Sequence, residues 1–408
     1  MRWQIEKLAN IAVKTEKTIL GLMSGTSLDG LDIALCRIKN SGLDTLVDVT
    51  AFATMPYDDI TKQRIRDVFA KPSVDFKALC SLNVSLANVH VDLVREFMSR
   101  HSVAIEQIDL IASHGQTVFH DPIRTANAAD NAGNTIENRQ INSTFQIVDG
   151  DHIAHHIGVI TVSDFRQKHV AAGGEGAPLA TYGDFLLFNH ASEARVLLNL
   201  GGIGNISYMP PNGTFSDVIS TDTGPANTLM DAFVKTHFGG MPYDKNGDIA
   251  STGKVVTPLL HALSSHAFFN IGFPKTTGPE EFSSKWLEQT IASLEPDTLR
   301  PNDVLATLSE LTALSVSNAI RAFAMSTKAT VYASGGGVHN AELMTRLRKH
   351  LGTIEIKPID ALGIKTDAKE AVVFALLANE CISGEPSTFG ACKKSQPNVA
   401  MGKISLPF

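Results

Sequence analysis

Cysteine is scarce. Cys36, Cys80, Cys381 and Cys392 are the only four in 408 residues, and no two are spaced as CxxC. A zinc ribbon or thioredoxin-type motif is thereby excluded, and so few thiols fit a reducing compartment better than a disulfide framework. Aromatic residues make up 7%, mostly Phe, which leaves little for base-stacking platforms. Basic charge is short too: 35 Lys and Arg stand against 42 Asp and Glu, a net charge of −7. No basic stripe is available to hold a nucleic-acid backbone. No apolar run reaches the roughly 18 residues of a membrane span. Residues 1–17 lack the apolar segment of a signal peptide and read as a short helical lead-in. GxxxxGK[ST], GxGxxG behind a strand and GxSxG are also missing, which removes the P-loop, Rossmann and serine-hydrolase readings.

Glycine is what the chain has, 31 residues of it, many in short clusters. With 43% hydrophobic and 19% charged residues, the chain can bury a large core and is too weakly charged for a disordered polymer. Its length suits two or three domains. Apolar periodicity predicts strands over 18–23, 31–38, 109–112, 145–148, 159–162, 195–200, 205–208 and 330–333. Helical spacing falls over 59–69, 76–100, 228–237, 255–264, 284–294, 305–324 and 368–380. Residues 121–140 are polar and Asn-rich, a loop, and the tail from 384 is irregular. Strands and helices alternate without a low-complexity linker, so the expectation is an α/β protein of two halves on one plan. Its domains are expected at 1–163 and 164–383, with a tail at 384–408 returning towards the first.

Each half has a hairpin with a Gly-rich turn, the first at Gly25–Gly30 and the second at Gly201–Asn205; a third cluster is Gly335, Gly336, Gly337. Backbone N–H groups in such turns can approach phosphate closely because no Cβ intervenes. A lone cluster could equally be a tight turn needing positive φ. Two hairpins clasping a nucleotide between domains describe an ATPase of the actin–hexokinase–Hsp70 type. Carboxylates stand nearby: Asp29 and Asp32 at the first turn, Asp222 within Thr221-Asp222-Thr223-Gly224-Pro225. Mg²⁺ takes one or two carboxylates plus phosphate oxygens; an Asx-turn or helix N-cap is the competing role for Asp222. His152, His155 and His156 are close in sequence but have no Cys or paired carboxylate to complete a metal site.

The run Gly21-Leu22-Met23-Ser24-Gly25-Thr26-Ser27-Leu28-Asp29-Gly30-Leu31-Asp32 closely resembles the opening motif of the anhydro-N-acetylmuramic acid kinases. The resemblance continues through Ser113-His114-Gly115-Gln116-Thr117, Asp164-Phe165-Arg166, Gly173-Gly174-Glu175-Gly176-Ala177-Pro178, Leu198–Asn205, Asp222–Pro225, Pro274–Gly278 and Gly335–Asn340, in family order. It implies a cytoplasmic, ATP- and Mg²⁺-dependent enzyme of cell-wall recycling, often a homodimer. The family hydrolyses the 1,6-anhydro bridge of 1,6-anhydro-N-acetylmuramic acid and phosphorylates O6, giving N-acetylmuramic acid 6-phosphate and ADP. By the resemblance, Gly25, Thr26, Ser27, Leu28, Asp29, Gly30, Leu31 and Asp32 form one phosphate loop, and Gly201, Gly202 and Asn205 a second. Gly335, Gly336, Gly337 and Asn340 line the adenosine pocket. His114, Gln116, Thr117 and Glu370 face the sugar, Asp29 and Asp222 hold Mg²⁺, and Asp164 and Arg166 belong to the catalytic segment.

The chain departs from the family at the catalytic base. The family places an Asp three residues after Asp-Phe-Arg; here the run is Asp164-Phe165-Arg166-Gln167-Lys168-His169. His169 can be the base itself, since an imidazole with a pKa of about 6.5 accepts a proton near neutrality. Asp164 or Glu175 can take the role instead, or the water step is lost, leaving a kinase for another sugar or a nucleotide-binding regulator. Pro279 and Ser283 replace a family Arg and Asn, and Val148 replaces a Gly.

Overall fold

Glu16–Ser24 (β1) pairs antiparallel with Gly30–Lys39 (β2), which pairs antiparallel with Leu46–Pro56 (β3). Leu110–Asp121 (β4) adds parallel to the other edge of β1, and Thr161–Ser163 (β6) parallel to β4, while Ser143–Ile147 (β5) pairs with the far end of β4. The second sheet repeats the plan. Ala194–Leu200 (β7), Ile203–Met209 (β8) and Ile219–Pro225 (β9) form an antiparallel meander, and Ala329–Ser334 (β10) and Glu355–Pro358 (β11) add in parallel on the β7 side. The orders β3-β2-β1-β4-β6 and β9-β8-β7-β10-β11 therefore match strand for strand. This computed structural model describes residues 3–25, 27–121, 141–177, 179–278, 281–294, 299–324, 328–385 and 397–408. The expected loop 121–140, apart from Asp121, falls outside them, as do Thr26, Pro178, Pro279 and Cys392.

The chain divides into a unit of Met1–Leu187 with Asp367–Phe408 and a unit of Phe188–Thr366. The divisions thus fall at 187/188 and 366/367, not at 163/164 and 383/384. The reason is packing. Helix Lys369–Ser383 lies on β1, β2 and β4, and Lys403–Ser405 (β12) pairs antiparallel with β6. In the first core, Leu20, Leu22, Ile33 and Ile111 from the sheet meet Leu82, Leu86, Val94 and Phe97 of helix Phe76–Arg100. Asp75 caps that helix by accepting from Ala78 N at 2.9 Å, the role that Asp takes at an N-cap. In the second core, Val196, Leu198 and Val331 pack with Leu308, Val316 and Ile320 of helix Pro301–Ala324, which is buried on nearly every side.

Gly21 lets helix Lys369–Ser383 sit directly on β1. A Cβ there would lie 2.0 Å from Ala371 O and 3.2 Å from Ala375 Cβ. Forcing an atom into so tight a contact costs about 1–3 kcal/mol. Gly21→Ala is expected to lower the thermal midpoint by several degrees, read by differential scanning calorimetry; an unchanged midpoint would show that the helix can move aside.

Candidate active site

In the first unit, β1 carries the chain into its Gly-rich turn. Leu28 takes a left-handed φ of 60°, and Gly30 has no room for a side chain, since a Cβ would meet Met55 O at 2.2 Å. Leu28 and Leu31 are core residues, so these two could meet an anion only through their backbone, whereas the Ser27 hydroxyl is exposed. Asp29 is exposed. Asp32, on β2, accepts from Thr54 Oγ1 at 2.6 Å; partial burial and the carboxylates of Asp367 and Asp29 push its pKa up.

β4 runs on through His114, Gln116 and Thr117, so these lie inside a strand and not on a loop at its end. Their polar atoms are largely committed. Gln116 Oε1 accepts from Ser24 Oγ at 2.5 Å, and its amide donates to Thr117 O at 3.1 Å and Gly25 O at 3.5 Å. His114 is buried against Phe374, with ring centroids 4.6 Å apart, and its Nε2 accepts from Arg166 Nε at 3.0 Å. Burial, then the Arg166 charge, drives the His114 pKa down to about 3, which keeps that lone pair available. Both residues therefore act as struts, Gln116 under the first Gly-rich turn and His114 under Arg166. Thr117 is half-buried, and its hydroxyl accepts from Gln146.

Arg166 also donates from Nη1 to Gly176 O at 2.9 Å; burial lowers its pKa to about 10, while the charge of Glu370 acts to raise it. Glu370 stands in the first turn of helix Lys369–Ser383 with part of its side chain in solvent and part shielded by its neighbours. Lost hydration and the carboxylates of Asp32 and Asp184, opposed by Lys369 and Arg166, raise its pKa above the ordinary Glu range.

His169 is 1% exposed. Its Nδ1 accepts from Gly176 N at 2.9 Å, and Nε2 lies 3.2 Å from Tyr182 Oη, which itself donates to Pro397 O at 2.8 Å. The neutral ring thus carries its proton on Nε2, donates it to Tyr182, and has its one lone pair filled by Gly176. Burial, then Arg166, lowers its pKa to about 4. His169 holds the 173–176 turn in place, with its Nδ1 lone pair taken by the Gly176 N–H. Asp164 pairs with Lys403. Glu175 is half-buried in the turn that wraps the imidazole.

Two departures from the family pattern have local consequences. Val148 takes a φ of 84°, a left-handed conformation that suits Gly and strains a β-branched residue. Ser283 caps helix Ser284–Ala292 by accepting from Trp286 N.

In the second unit, the turn Gly201-Gly202 sits on the N-terminus of helix Asn227–His237. Gly201 O accepts from Asn227 N at 3.0 Å, and Gly202 O from Ala226 N at 3.0 Å and Thr228 N at 3.1 Å. A Cβ at Gly202 would strike Thr228 Oγ1 at 2.4 Å. Asn205 lies on β8, opposite Asn199 on β7 and Asp222 on β9. Asp222 is therefore a strand residue and not a helix cap. Its Oδ2 accepts from Thr277 N at 2.9 Å, its own N–H donates to Lys275 O, and burial raises its pKa. Gly335, at φ 85°, has no space for a Cβ beside Asn199 and Leu200. Asn340 caps helix Ala341–Leu351 through Oδ1 to Leu343 N at 2.9 Å.

Next to Gly336 and Asn340 opens a cavity of about 440 Å³, lined also by Asn227, Asp231, Tyr243 and His339. Burial pushes Asp231 up to about 6. The cavity brings the third Gly cluster together with the helix that supports the second. Asp231 was not expected there and lies one helical turn beyond Asn227; Tyr243, within the run Tyr243-Asp244-Lys245 that also resembles the family, was not assigned to this pocket.

A family model described as anhydro-N-acetylmuramic acid kinase matches residues 17–406. Over the full length of both chains, the protein is 47% identical to the anhydro-N-acetylmuramic acid kinase of Pseudoalteromonas atlantica and 44% identical to that of Pseudoalteromonas translucida. The kinase of that name from Caldanaerobacter subterraneus subsp. tengcongensis is 36% identical, covering 98% of this chain and all of its own. With a family match over residues 17–406 and full-length relatives at 47% and 44% identity, the chain belongs to the anhydro-N-acetylmuramic acid kinase family.

Proposed function

We propose that this protein converts 1,6-anhydro-N-acetylmuramic acid, ATP and water into N-acetylmuramic acid 6-phosphate and ADP. The observation that carries the reading is the full-length family match onto a chain that keeps both Gly-rich phosphate turns. Water adds to C1, the C1–O6 bond breaks, O6 takes the γ-phosphoryl group, and one proton passes from the water to a base and then to solvent. Stereochemically this is the attack of an inverting glycosidase, coupled to an in-line phosphoryl transfer.

The second unit offers the nucleotide side. Its cavity of about 440 Å³ is within the size range of a ligand pocket, and the Gly-rich turns at 201–202 and 335–337 can bring backbone amides close to phosphate because no Cβ intervenes. A phosphate-borne Mg²⁺ needs only one or two carboxylates. Asp222 fits: one carboxylate oxygen is held by Thr277 N, and Oδ1 makes no hydrogen bond among the described residues. When bound, the ion neutralises phosphate charge. Asp29, exposed in the first unit, is the weaker candidate.

The first unit offers the sugar side. Arg166, propped by His114, supplies positive charge, and Glu370 is the carboxylate whose field reaches both Arg166 and Asp32 of the phosphate-loop motif. We assign the base to Glu370. A carboxylate with a raised pKa is the better proton acceptor, whereas Asp164 is paired and His169 is saturated. No helix among the described residues is long and apolar enough to cross a membrane; the cytoplasmic homodimer implied by the resemblance goes with this reading.

The test is ADP release with and without 1,6-anhydro-N-acetylmuramic acid. Sugar-stimulated release is expected, with ¹⁸O from labelled water appearing at C1 of the product. Nucleotide binding without any stimulation by the sugar would sink the reading.

A further inference from the structure

Tyr57 and His90 take no part in the reaction as proposed, yet both are tied to the first phosphate loop. Tyr57 follows β3 and is buried. It reaches both ends of the loop: its backbone N–H donates to Asp29 O at 3.3 Å and its hydroxyl to Ser24 Oγ at 2.8 Å. Ser24, the last residue of β1, passes its own proton to Gln116, whose amide returns to Gly25 O.

The Tyr57 oxygen also lies 2.7 Å from His90 Nε2, and the two rings stack, 6.0 Å apart and 9° from parallel. Because the hydroxyl proton is committed to Ser24, the hydroxyl accepts from Nε2–H, which sets the His90 tautomer. His90 is fully buried on the inner face of helix Phe76–Arg100, in register with Leu82, Leu86 and Val94. A leucine would suit that stripe, and a histidine there is costly unless it is bonded. Burial lowers its pKa to about 3, so the ring remains a neutral donor. The donors run one way: His90 to Tyr57, Tyr57 to Ser24, Ser24 to Gln116, and Gln116 to the loop carbonyl.

We infer that His90 and Tyr57 are positioning residues that fix the first phosphate loop in the conformation that receives the β- and γ-phosphates of ATP. The inference rests on the kinase reading. Loop amides stabilise a transferring phosphoryl group only when they are held in place beforehand. Tyr57 clamps the loop where it leaves β1 and where it enters β2, and His90 orients Tyr57.

The test is steady-state kinetics of the full chain. Tyr57→Phe keeps the ring and removes the hydroxyl. It is expected to lower kcat about tenfold and raise KM for ATP severalfold, the effect of a misplaced binding loop, while KM for the sugar stays within about twofold. His90→Leu should behave the same way. His90→Gln, which restores an N–H donor, should recover most of the loss. Ser24→Ala breaks the same chain with a one-atom deletion and serves if the larger changes prevent folding. Wild-type kinetics in Tyr57→Phe and His90→Leu, or both KM values rising together without rescue by His90→Gln, would overturn the inference. A wild-type chain that shows no sugar-stimulated ADP release would instead overturn the kinase reading.

Discussion

Asp222→Asn is expected to lower kcat by about 10²- to 10³-fold, the usual loss when a charge-stabilising group is removed from a transfer site, and to leave ADP binding intact. The substitution isolates charge from structure. Asn is nearly isosteric, and its side-chain oxygen can still accept from Thr277 N, the bond that Asp222 Oδ2 makes at 2.9 Å. β9 therefore keeps its tie to the 275–277 segment, and only the negative charge is lost. With it goes the affinity for a phosphate-borne Mg²⁺, so the variant also needs more Mg²⁺ to reach its reduced maximum. Asp222→Ala is the poorer probe, because it strands a backbone donor that the carboxylate now satisfies. The measurements are ADP release across a Mg²⁺ titration and calorimetric titration with ADP. A kcat within threefold of wild type, with an unmoved Mg²⁺ curve, would remove Asp222 from phosphoryl transfer.

Asp222 also shows where the sequence stops being readable. Thr221-Asp222-Thr223-Gly224-Pro225 has turn composition, yet it is the end of β9, because pairing with β8 overrides local propensity. The helix that carries the stripe 82-86-94-97 was legible from spacing alone, and so was the β1–β2 hairpin, since each follows a local period. His90 lies in that same stripe, but nothing local reveals that its partner is Tyr57, reached only when β3 is laid beside β2. The motif His114-Gly115-Gln116-Thr117 marked an important segment. Which way its side chains point depends on the continuation of β4 between β1 and β6, a non-local pairing. The exchange of Asp for His at position 169 stood out at once, whereas the saturation of that imidazole rests on Gly176, Tyr182 and Pro397, and no spacing rule brings Pro397 there.

That saturation separates two residues that the reaction alone would not. Glu370→Gln is expected to lower kcat by about 10²- to 10⁴-fold, the contribution of a general base, with KM for the sugar nearly unchanged because the amide keeps a hydrogen-bonding oxygen. His169→Asn is expected to stay within about fivefold of wild type, since its side-chain oxygen can replace Nδ1 as acceptor for Gly176 N–H and only the link to Tyr182 is lost, a loss on the order of a single neutral hydrogen bond. The pH profile adds an independent reading. A base works ionised, so the rate falls on the acid side as pH drops through its pKa. With Glu370 as base, that limb lies above the ordinary carboxyl value of 4.5, and it disappears together with the activity in Glu370→Gln. His169→Asn leaves the limb where it was. A two-order loss in His169→Asn with a stable fold, beside a mild effect in Glu370→Gln, would return the base to His169. A large loss in Glu175→Gln alone would move it to the turn that His169 holds.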